Sequence, residues 1–164
     1  ENNQESEDDV EEEEPVTRSE VSAVVTNKGV MAYIEDEAFT EVRWERGDEA
    51  AIPLERMRES VDGFHFFKIP AGIEHAQVNL ESVESVKLGT EVFTLSGENM
   101  TYITRDIISH VPTGVVSEES AVYTQGEGSV AQAPAYLYSQ SSGAIVGGYV
   151  PEKDSYLVFS SVVR

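Results

Sequence analysis

The chain's cadence constrains its fold more than any other feature. Short runs rich in Val, Ile, Thr, Tyr and Phe recur at intervals of about 8–12 residues, and Gly, Pro, Asn, Asp or Ser closes nearly every one. Helical periodicity is almost absent, so the pattern predicts an all-β barrel or sandwich, not a helix bundle or a βαβ layer structure. "VSAVVT" and "VMAYIE" read as a hairpin about the tight turn "NKG", and "FTEVRW" alternates as a strand. "AAIPLERM" is strand-like, with Pro53 at an edge or bulge. "GFHFFKIP" reads as a strongly buried strand. "SVKLGTEVFTLSG" turns at Gly89 and then runs as a strand through Leu95. "YITRDIISHVP" and "SAVYTQ" follow as strands, then a hairpin of "AYLYSQ" and "AIVGGYV" about "SSG", and "SYLVFSSVV" closes the series. The short stretch "LERMRES" is the sole helix candidate.

The 164 residues suffice for one domain with a real core. Nine of the first fourteen residues are acidic, and the net charge is -20. A block of that kind repels itself and buries nothing, so residues 1–19 are expected to be a disordered tail or linker, with 20–164 as the folded domain. The tail either acts as a solvated spacer or docks on a basic partner. Such acidity argues against nucleic acid, whose phosphates require Lys and Arg to replace counterions. The chain has no cysteine, which removes disulfides, thiolate catalysis and Cys-based zinc sites. No apolar run of 18 residues or more is present, so no membrane contact is expected from this segment itself. The chain begins with Glu, which suggests an excised piece whose acidic spacer follows a membrane segment outside it, placing the domain extracytoplasmically. A glycosylation sequon, Asn99-Met100-Thr101, carries little weight.

Four segments in order carry a likeness to a known family. They are "AVVTNKGVMAYI", "DGFHFFKI", "ESVKLGTEVFTLSG" followed by "ITRDIISHV", and "AQAPAYLYSQSSGAIVGG". Their order and spacing resemble the trypsin-like, HtrA-like serine protease domains. The similarity spans roughly residues 21–163. It implies two six-stranded Greek-key barrels side by side, the first over about residues 20–72 and the second over about 78–164. The alternative is a single β-sandwich.

The family's chemistry requires a Ser nucleophile, a His base and an Asp that fixes the His tautomer. The region matching the His motif, "MAYIEDEAFTEV", holds no histidine, and its turn at 35–37 is acidic. Aligning through Lys68 puts Gly63 in the Asp position and leaves Asp62 one residue away, where the side-chain direction reverses; Asp62 reads as a turn residue. The Ser position falls on Ala133 counting back from Leu137, or on Ala131 when Pro134 is aligned with the family's proline. Neither register keeps the glycines that would turn backbone N–H groups toward an oxyanion. His65, His75 and His110 match no catalytic position and read as packed or surface residues. Neither they nor the acidic turn at 35–37 have the spacing of a metal site, and no cofactor is expected.

The residues therefore point to a catalytically inactive, pseudoprotease-like domain that binds or scaffolds a protein or peptide partner within a larger assembly. Tyr136, Tyr138 and Tyr149 are the candidate contacts along the cleft between the barrels. Two other readings remain open. One is an active serine peptidase with a rearranged site drawn from His65, Asp62 and Ser129. The other is an unrelated all-β envelope or adhesin module.

Overall fold

The computed structural model describes residues 15, 17–35, 38–97, 100–111, 121–124 and 134–163. The acidic block 1–14, the Ser-position candidates Ala131 and Ala133, Ser129 and most of the turn at 35–37 lie outside the described residues.

The protein is all-β, and a closed six-stranded antiparallel barrel forms its C-terminal half. Its strands are β6 (Glu91–Ser96), β7 (Tyr102–His110), β8 (Ala121–Thr124), β9 (Ala135–Ser139), β10 (Ile145–Val150) and β11 (Ser155–Val158). Around the ring the order is β6-β7-β8-β11-β10-β9, and β9 returns to lie beside β6. Strands β6, β7 and β8 with β9 closing against β6 form a Greek key. Inside, Val92, Ile108, Val122, Leu137, Val146 and Val158 fill one end, and Tyr156 packs with them. Strand β6 shows why the ring closes: Val92, Thr94 and Ser96 are buried, while Phe93 and Leu95 face out and are only partly covered.

The N-terminal half is an open sheet. β1 (Ala23–Thr26) and β2 (Gly29–Tyr33) form the expected hairpin, and β5 (Phe64–Phe67) pairs with β2. A short ribbon of β3 (Arg43–Trp44) and β4 (Ile52–Pro53) stands apart in the ladder. It is nevertheless stitched to β5. The Met57 amide donates to the Phe66 carbonyl at 2.9 Å and the Lys68 amide to the Glu55 carbonyl at 2.8 Å, while the Leu54 amide donates to Val42 at 2.9 Å. The backbone path thus runs β1-β2-β5-(54–57)-β3 and surrounds a small core of Val30, Ala32 and Phe67, against which Val25, Val42, Trp44, Leu54 and Ile69 pack. Among the described residues this path does not close into a ring.

Three local expectations change. "LERMRES" is extended instead of helical, because its backbone supplies the outer partner of β5. "FTEVRW" contributes only two strand residues, Arg43–Trp44. "SYLVFSSVV" leaves the sheet after Val158 and ends in one helical turn, α1 (Phe159–Val162), which places Phe159 against the other half of the molecule.

Candidate functional site

The two halves meet at a junction built on β5. In β5, alternate side chains face opposite ways: Phe64 and Phe66 toward the barrel, His65 and Phe67 toward the small N-terminal core. Opposite Phe64 lie Tyr136 of β9, Phe159 of α1 and Tyr33 of β2, with ring centroids 6.0, 5.1 and 5.2 Å away. Phe66 meets Phe159 edge-on at 6.0 Å. Val24, Met31, Ile145, Val150 and Leu157 complete this core. Gly148 of β10 makes the approach possible: a Cβ there would stand 2.2 Å from Phe64 Cζ. The junction is a solid aromatic seam.

The sequence candidates fall as follows. Gly63 and Asp62 are the two central residues of a tight hairpin. Val61 and Phe64 exchange both backbone hydrogen bonds at 2.9 Å, and φ is positive at Asp62 (50°) and at Gly63 (86°). That conformation is the Asp-Gly primed turn. Its geometry accounts for Gly63, and Asp62 accepts a hydrogen bond from Lys153 Nζ at 3.0 Å, tying the hairpin to the turn between β10 and β11. His65, 2% exposed, lies 5.1 Å from the ring of Phe39 and 6.5 Å from that of Phe67. It faces away from the seam. His75 is half-buried beside Trp44, and His110 is exposed beside Tyr123. The three histidines sit in three separate environments.

The tyrosines also separate. Tyr136 has no exposed surface, so it packs in the seam and offers no face to an open cleft. Its hydroxyl, without a partner of ordinary hydrogen-bond geometry, faces the Tyr33 backbone, and burial raises its pKa. Tyr138 is likewise buried, stacked flat on Phe93 at 5.2 Å. Tyr149 keeps partial exposure, packed against the barrel core, and its hydroxyl donates to Asp154 Oδ1 at 2.6 Å. Desolvation first, then the Asp154 hydrogen bond and charge, push its pKa up to about 12. Tyr156 stands beside it at 5.4 Å; its hydroxyl bonds Thr94 Oγ1 at 3.3 Å and Thr124. These raised pKa values keep the phenols protonated near neutral pH.

Sequence reasoning passed over a surface on the outer wall of β7. Of the seven large hydrophobic side chains left exposed among the described residues, Tyr102, Ile103 and Ile107 lie on this strand, with Tyr123 on the neighbouring β8 and Leu88 just before β6. Ile103, 65% exposed, and Ile107 flank Arg105 in the outward register. The Gly89 amide donates to the Ile108 carbonyl at 2.8 Å and ties the segment after Leu88 to the Ile107 end of the strand. The signal was present in "YITRDIISH": on a barrel wall the outward positions are usually polar, and here two are isoleucine.

No family model, curated protein or solved structure matches the chain.

Proposed function

We propose that the chain is a catalytically inactive, trypsin-fold-like module that binds a protein partner. One observation carries the reading: the junction that would hold a protease's reacting groups is filled by Phe64, Phe66, Tyr136 and Phe159. Substrate has no room to enter there. The C-terminal barrel with its Greek key, and the curved N-terminal sheet about its own small core, support the two-barrel build that the strand order suggests, with the first barrel left open.

In this reading binding has moved from the junction to the β7 wall. The partner that suits this wall is a protein surface with apolar side chains to cover Ile103 and Ile107 and a carboxylate to meet Arg105. A fluorophosphonate probe tests the inactive state. The expected result is no serine labelled on the folded chain; stoichiometric labelling of one serine would instead support a working peptidase with rearranged residues.

A further inference from the structure

The chain has three methionines and no cysteine, so its sulfur chemistry rests on Met31, Met57 and Met100. Met31 is 0% exposed in the seam, and Met100 is partly buried against the same core. Met57 is 39% exposed and lies on the outer stretch 54–57, where its amide bonds the Phe66 carbonyl at 2.9 Å. Its thioether lies over the backbone of Gly29 in β2: a Cβ at Gly29 would stand 2.6 Å from the Met57 sulfur and 2.9 Å from the Phe67 carbonyl oxygen. The side chain therefore reaches across the edge of β5 to β2, with one side on the backbone and the rest toward water.

We propose that Met57 is the oxidation-sensitive site of this protein, and that its sulfoxide loosens the stretch 54–57 from β5. The oxidant is a hydroperoxide. Sulfur donates an electron pair to the outer peroxide oxygen, the O–O bond breaks, and the sulfoxide forms while the hydroperoxide is reduced to an alcohol, or to water from hydrogen peroxide. The product is bulkier and polar. Its new oxygen is an acceptor close to the Phe67 carbonyl, also an acceptor, so the side chain is driven off Gly29. The consequence reaches further than one contact. The same stretch carries the Lys68–Glu55 and Leu54–Val42 backbone bonds that attach β3.

The test treats the folded full chain with hydrogen peroxide and follows two readouts: peptide mass mapping, and hydrogen exchange at the Met57 and Lys68 amides. A one-oxygen adduct is expected at Met57 several-fold sooner than at Met31 or Met100, with faster exchange at both amides once it forms. The Met57→Leu variant, which keeps an apolar side chain of similar volume, is expected to show neither change. Oxidation of Met100 or Met31 as fast as Met57 would overturn the proposal. So would full oxidation of Met57 with the two amides still as slow as before.

Discussion

Gly148 and Phe64 meet without spare room in the seam. The aromatic ring occupies the volume that any side chain at 148 would need, at 2.2 Å from an ideal Cβ. Gly148→Ala must push Phe64 off its contacts with Phe159 and Tyr136, so it is expected to cost about 1–3 kcal/mol, read as a lowered denaturant midpoint. An unchanged midpoint would mean the ring has slack the contacts do not show. The burial of Phe64 was legible in "GFHFFKIP", but its pairing with Gly148 was not. "GAIVGGYV" reads as a strand with a glycine pair, and nothing local says which ring, some eighty residues away, fills the gap. By contrast, Asp62-Gly63 was legible as a turn, because a hairpin loop with φ positive at both central positions selects that dipeptide from local sterics alone.

Among the elements, β5 was the clearest from sequence and the stretch after β4 the least. "FHFF" carries no polar alternation, and the strand is buried on both faces, by the seam on one side and the small core on the other. "LERMRES" has good local helix propensity, but the outer edge of β5 needs a partner, and that tertiary demand prevails. The same competition explains α1: "VFSSVV" is β-rich, yet Phe159 is required in the seam. Strands β9 to β11 supply an expectation about alkali. Burial raises the pKa of Tyr136, Tyr138 and Tyr156, and that of Tyr149 rises from 10.0 to about 12. Above pH 10 the unfolded chain loses these phenolic protons first, so the stabilisation is fully present below 10 and is lost as pH rises through about 12. Denaturant midpoints measured across that window are expected to fall, and to fall less steeply in Tyr136→Phe. Parallel curves for the two proteins would contradict the burial of this phenol.

For the molecule as a whole, the cadence of strands was enough to give the all-β class, and turn chemistry gave most strand positions. The cadence alone left barrel and sandwich open, because closure depends on β9 returning to β6 across a long separation. It was the resemblance that led us to expect a six-stranded barrel over about residues 78–164, and the C-terminal half forms one. The expected first barrel does not close among the described residues. The filled junction was hidden for the same reason: Phe64, Tyr136 and Phe159 lie in three distant segments, and each alone reads as ordinary core. If the two halves share that one core, they open only together. Native-state hydrogen exchange at the amides of β5 and β9 puts this to the proof. Both strands are predicted to exchange only through global unfolding, with the same opening free energy. Exchange of β5 through a smaller, separate opening, with β9 still protected, would show a cleft that parts on its own and would contradict the closed seam.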